Sequence, residues 1–384
     1  MRPADDQAAI YHRRQFRLSL ASLLLTVAGL AAVLLGGLTR WVSAAPLPWW
    51  LHVAGIAVAL GAGMRLLTLP LDWARGYWLP KRFGLLHQPF GRWLWDRIKA
   101  GAIGGALALI ALEIIYGFLQ VSAWWWLWAA LILFAGSLLL TVVVPVWIVP
   151  LFYRLVPLED AALKERLLAL AKRVGVAVVG VWVADQSRKS RTANAALTGL
   201  GRTRRILLFD TLIAEFTADE IESVLAHELA HHVHGDVRRG LLVQGGVLLA
   251  TLWSAGHLLR LGSAWFGFQG PADPAGLPLL ALVLLLLGLV AAPLANGFSR
   301  RVERQADAFA LATTGNPGAF IGAMERLAKL NLAERRPNRL KEFLLYSHPS
   351  IDHRIEQARR FPPHPTLSPT GGEDQGEGVR RLTQ

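Results

Sequence analysis

Six long apolar runs constrain what this chain can fold into more than any other feature. They cover roughly residues 18–39, 47–69, 100–120, 124–149, 240–259 and 277–296, each close to the length, about 20 residues, that crosses a bilayer as a helix. Lipid offers no water to a backbone N–H or C=O, so such runs fold as helices that satisfy their own polar groups. A chain of 384 residues that is 53% hydrophobic is also too apolar for an ordinary soluble protein. The expectation is a mainly α, polytopic membrane helix bundle of about six spans, four before residue 150 and two after residue 240. The first run is too long for a signal peptide, and no small-residue cleavage site follows it, so it is read as a retained anchor.

The basic residues set the expected orientation. Arg13, Arg14 and Arg17 precede the first run, and Arg75, Lys81, Arg82, Arg92, Arg97 and Lys99 crowd the second loop. The loop after the first run carries only Arg40, and neither the loop around Gln120 nor the segment 261–276 carries any. The positive-inside rule then places both termini on the cytoplasmic side of a multi-pass protein, and the compact loops suggest a bacterial inner membrane. A net charge of +13 is explained by loops that face anionic headgroups of the lipid bilayer. No nucleic-acid motif accompanies it, so nucleic acid is not an expected partner. Trp49, Trp50, Trp124, Trp125 and Trp126 fall at run ends, as an interfacial aromatic belt does.

Between the fourth and fifth runs lies His227-Glu228-Leu229-Ala230-His231. Two histidines four apart on a helix stand one above the other on one face, so both imidazoles reach one zinc ion. Glu228, beside the first, is placed to take a proton from an attacking water. Thr217 and Glu220 have the spacing of a capping box, Ile221, Val224, Leu225 and Leu229 follow at helical period, and Gly235 ends the pattern, which predicts a helix of about 18 residues. His232 and His234 are read as helix-end residues favoured by the dipole and not as ligands. With zero cysteines in the chain, a Zn2+ site has to be built from histidines and carboxylates.

A catalytic zinc site needs a third protein ligand. Just after the last run, Glu303 and Asp307 lie four apart on a predicted helix. Glu303 could complete the site while Asp307 accepts the ring N–H of a ligand histidine. Both could equally belong to an i,i+4 surface charge pattern with Arg300, Arg301 and Arg304. Elsewhere the soluble part reads as a helix over 158–173, strands over 174–184, 192–197 and 205–212, and helices over 298–314 and 317–332. Residues 70–99 read as a basic, aromatic loop lying against the soluble part or the membrane interface. The organisation expected is a membrane domain over 1–150, a metallopeptidase domain over 151–361 interrupted by two spans at 240–259 and 277–296, and a disordered tail over 362–384. Glu113 and His257 fall inside apolar runs and are expected to face the bundle interior or water, with an outer-interface position near Arg260 the alternative for His257.

The ordered set Asn194-Ala195, Thr198-Gly199-Leu200-Gly201, Arg205 through Leu212, His227 through His231, Ser299-Arg300, Glu303, Ala306-Asp307, Ser347-His348-Pro349 and Arg354 resembles the type-1 CAAX prenyl proteases, also called a-factor-converting enzymes, and their bacterial relatives. The resemblance implies a membrane-embedded, gluzincin-type α+β zinc metalloendopeptidase with Glu303 as third ligand. It implies that His348 lies near the metal and can donate to the oxyanion, and that Arg354 does so too or binds a substrate carboxylate. It places Asn194 and Ala195 on an edge strand to which substrate adds through main-chain bonds. The expected partner is a peptide or protein, whether or not lipid-modified. Ala196 stands where the family has an aromatic residue, Ser350 where it has a second proline, and six runs stand where larger members have seven spans. Two other readings are a quality-control membrane peptidase of the HtpX kind and, from another class, a transporter or scaffold with a non-catalytic metal. A base beside an incomplete ligand set favours catalysis over the latter.

Overall fold

The computed structural model describes residues 4–362 apart from Ala44 and Leu200; the tail expected from 362 onward lies, beyond Pro362, outside the described residues. Among these, six helices are long and apolar enough to cross a membrane. Four precede the soluble part: α1 (Ala4–Leu35), α2 (Trp49–Trp73), α3 (Phe90–Val121) and α4 (Trp125–Val143). Little of their apolar surface is covered by protein: none of the most apolar window of the α4 span is buried, and no more than 28% of any span's is. So much uncovered hydrocarbon is stable only against lipid. The bundle closes around Val53, Ile56, Tyr116, Ala129, Leu252 and Leu280, which form one buried cluster.

The stretch 70–99 is not a loop. α2 runs on through a π-helical turn, Ala74–Trp78, into a short helix, Leu79–Arg82, and α3 begins at Phe90. The tryptophans and basic residues that made this stretch look irregular are carried by helix extensions past the apolar run, where amphipathic side chains keep their charged tips wet. The turn between them does meet the soluble part. Leu86 bridges to Ser190, and the N–H groups of His87 and Gln88 both donate to the Lys189 carbonyl, at 2.8 and 3.1 Å.

The soluble part is a small sheet covered by helices. Its strands are β1 (Leu155–Pro157), β2 (Val181–Ala184), β3 (Ala195–Thr198) and β4 (Arg205–Phe209), in the order β1-β2-β4-β3. β2 and β4 are parallel and the outer strands antiparallel to them, so β3 is an edge. α5 (Ala161–Arg173) is capped by Asp160, whose side chain accepts from the Leu163 N–H. The valine run expected as a strand over 174–184 narrows to 181–184, because Val174 caps α5 and Gly175 at φ +73° turns the chain away. Beyond Phe209 the expected strand gives way to a short helix, Asp210–Glu215. Asp210 turns back there to accept from the Ser187 N–H at 2.8 Å.

Four longer helices follow: α6 (Ala218–Val233), α7 (Asp236–Phe266), α8 (Leu277–Thr314) and α9 (Pro317–Leu330). α6 opens with the expected capping box, Thr217 with Glu220, and its apolar face, Ile221, Leu225 and Leu229, is buried against Leu167, Ile206, Leu208 and Phe320. α7 and α8 are the last two spans. The helix expected over 298–314 is not separate: α8 is one helix of 38 residues, so the membrane span itself extends into the soluble part and carries Glu303 and Asp307 to α6. Two short helices follow, α10 (Arg339–Leu345) and α11 (Ile351–Arg359).

Candidate active site and metal centre

α6 and α8 pack along each other, and this places the two halves of the candidate site face to face. Glu303 Oε2 lies 3.2 Å from His227 Nε2, and Oε1 lies 3.7 Å from His231 Nε2. Donors each about 2 Å from a tetrahedral ion stand about 3.3 Å from one another, so the spacing suits one metal ion. One ligand atom from each of His227, His231 and Glu303 falls within 4.8 Å of the others. Glu303 Oε2 is buried and makes no hydrogen bond even with His227 so close, as suits an oxygen whose partner is a cation.

The far side of each imidazole is held by an aspartate. His227 Nδ1 lies 2.9 Å from Asp307 Oδ1, and His231 Nδ1 lies 3.1 Å from Asp236 Oδ2. A ring that donates its Nδ1–H to a carboxylate presents an unprotonated Nε2 for metal, fixed in orientation and made more basic. Burial disfavours a charge on His227, but the bond to Asp307 and the Glu303 carboxylate beside it outweigh this and raise its pKa to about 9. The carboxylates around His227 favour positive charge at this position, whether from a proton or from a metal ion.

Asp236 was not legible in the sequence as part of this site. It begins α7, the fifth span, one residue after Gly235, whose φ of +67° reverses the chain. That left-handed turn is open to glycine at little steric cost, and it brings the aspartate back over the last turn of α6. Asp236→Asn keeps the shape and removes the charge. It should weaken metal binding about 10- to 100-fold, measured by competition with a chelator of known affinity; unchanged affinity would show that the carboxylate plays no part in holding His231.

Glu228 is close enough to His227, His231 and Glu303 to feel their charges and makes no hydrogen bond or ion pair among the described residues. Burial raises its pKa above the usual carboxylate range, opposed by the nearby histidines, which makes it a stronger base than a solvated glutamate. His348, on the loop between α10 and α11, reaches the site from the open side: its Nε2 is 3.2 Å from Glu303 Oε1 and its side chain is 57% exposed. Ser347 Oγ lies 2.9 Å from its Nδ1. Asn194 immediately precedes β3, with its carbonyl accepting from the Phe209 N–H at 3.0 Å. Ala195 is the first residue of β3, which packs on α6, so this edge strand borders the helix that carries the histidines.

Arg354 is placed differently from the donor to substrate that the resemblance implies. Its guanidinium is buried behind His227, with Nε 2.9 Å from Asp307 Oδ2 and an Nη 2.6 Å from Oδ1. A bidentate fork of this kind commits the arginine to the carboxylate that orients the ligand histidine. His232 and His234 stay outside the metal-competent group, and His257 lies 3.0 Å from an Arg260 Nη.

The sequence model of peptidase family M48 matches residues 157–361, which hold the whole constellation. The chain belongs to peptidase family M48. The model described as "CAAX prenyl protease N-terminal, five membrane helices" matches residues 4–154, where the described residues carry four candidate spans. Among M48 relatives, an uncharacterized metalloprotease, YhfN of Bacillus subtilis, is 31% identical over 84% of this chain and 76% of its own length. CAAX prenyl protease 1 of Saccharomyces cerevisiae is 38% identical over 43% of this chain and 37% of its own. The crystal structure of S. mikatae Ste24p superposes with a TM-score of 0.79 at 26% identity, covering 92% of this chain and 89% of that one. The protein is an integral, multi-pass membrane metallopeptidase of the CAAX prenyl protease kind, acting on a peptide or protein.

Proposed function

We infer that the chain is a zinc endopeptidase with His227, His231 and Glu303 as ligands and Glu228 as general base. The observation that carries this reading is the asymmetric dressing of the site: both Nδ1 atoms are tied to aspartates, while Glu228 is left unpaired. A structural ion would be enclosed by four protein ligands. A bound zinc ion supplies Lewis acidity, polarising the scissile carbonyl and acidifying the attacking water. Glu228 takes the proton from that water and returns it to the leaving amine. His348 donates Nε2–H toward the developing oxyanion, and the edge of β3 at Asn194 and Ala195 holds the substrate extended. Asp307, Asp236 and Arg354 are positioning residues, acting through the ligand histidines.

The distribution of arginine and lysine supports a cytoplasmic peptidase part and cytoplasmic termini, and the compact loops favour a bacterial inner membrane. With CAAX prenyl proteases among the relatives, a lipid-modified peptide is the substrate to test beside an unmodified one. The test is hydrolysis of a quenched fluorescent peptide by the full-length protein in detergent, with metal content measured alongside. Activity should vanish with a chelator and return with zinc, in protein that binds a single zinc per chain. Activity that a chelator leaves intact after the metal has gone would overturn the proposal.

A further inference from the structure

A cavity of about 720 Å³ lies where α3 and the end of the fourth span meet the peptidase part, within the range of about 300–1,000 Å³ typical of small-molecule sites. It includes none of the proposed ligands. Four cationic side chains line it, Arg92, Lys99, Arg154 and Arg188, against a single carboxylate, Asp96. That carboxylate is already satisfied by Lys189 at 2.6 Å, Lys99 at 2.9 Å and Gln88 at 2.7 Å. Arg188 is balanced by Asp185 at 3.0 Å. Arg92 and Arg154 are exposed, and among the described residues neither side chain has an ion-pair partner. The cavity therefore holds two uncompensated guanidinium groups, the side chain best matched to a phosphate.

The rim distinguishes among anions. Trp95 is 61% exposed and Leu151 53%, both lining the cavity and both on span helices or their ends. An apolar wall that continues into the lipid-facing surface, next to a cationic hollow at the span ends, matches a ligand with a phosphate head and hydrocarbon tails. We propose that this cavity is a binding site for the phosphate of an anionic phospholipid, whose acyl chains run down the Trp95 and Leu151 surface. The occupied site ties α3 to the segment around Lys189, which leads into β3.

The test uses the full-length protein in detergent, titrated with phosphatidylglycerol, phosphatidylcholine or inorganic phosphate, with lipid retention read by native mass spectrometry. Phosphatidylglycerol should be retained in preference to phosphatidylcholine, and inorganic phosphate at the same concentration should not displace it. Arg92→Gln with Arg154→Gln should weaken phosphatidylglycerol about 30-fold, near fivefold for each arginine lost beside a membrane. Neither side chain holds the fold together, so the lipid-free double variant should unfold at the parent's temperature. Arg13→Gln with Arg14→Gln removes equal charge from α1, outside the cavity, and should leave the preference in place. Equal retention of the two lipids, or equal losses in the two double variants, would overturn the proposal. Displacement by inorganic phosphate would assign the cavity to free phosphate and refute the lipid.

Discussion

Glu228→Gln should lower the rate of peptide hydrolysis about 10²- to 10⁴-fold, the usual worth of a positioned general base. Glutamine fills the same volume and keeps one oxygen, but it has no basicity near neutral pH. Because Glu228 makes no ion pair or hydrogen bond among the described residues, nothing in the fold is left unpaired by the change. Metal content and unfolding temperature should therefore match the parent's, and the deficit should appear in kcat. If the variant lost its metal together with its activity, Glu228 would belong to the ligand set instead. Retention of full activity would remove it from the mechanism altogether.

Arg354→Met should destabilise the peptidase part by about 3–5 kcal/mol, the effect of stripping one partner from a buried ion pair. The reason is Asp307: it is fully buried, and its carboxylate is held by Arg354 and His227. Without the guanidinium, the charge faces only an imidazole. Adding Asp307→Asn in the same chain removes that stranded charge, while its amide oxygen can still accept from His227 Nδ1–H. The double variant should regain much of the stability lost by the single one. This coupling separates a positioning arginine from one that binds substrate, since a substrate contact would raise KM and leave thermal unfolding and the response to Asp307→Asn unchanged.

How much of this was legible beforehand depended on the range of the interactions. The span helices and α6 rest on hydrophobic period and capping within a single segment, and those signals survive into the fold. Strand ends were less legible. The valines of 174–184 and the apolar residues of 205–212 carry strand propensity, but Gly175 and the bonds made by Asp210 end the pairing. β1 was missed, since a strand of three residues has too few positions for alternation to show.

The same division runs through the site. Residue spacing by itself determined that His227 and His231 share a helical face with Glu228 turned about 100° from the first of them, because 3.6 residues per turn leaves no other arrangement. It also determined that the chain is a bundle of membrane helices, because lipid accepts little else from long apolar runs. Only the tertiary structure decided that Asp236 reaches back to His231, that Arg354 serves Asp307, and that a cationic cavity forms where two spans meet the peptidase part. Each of those depends on segments distant in sequence, or on one left-handed glycine, coming together in space. Their geometry is set by how whole helices pack, which no local period encodes.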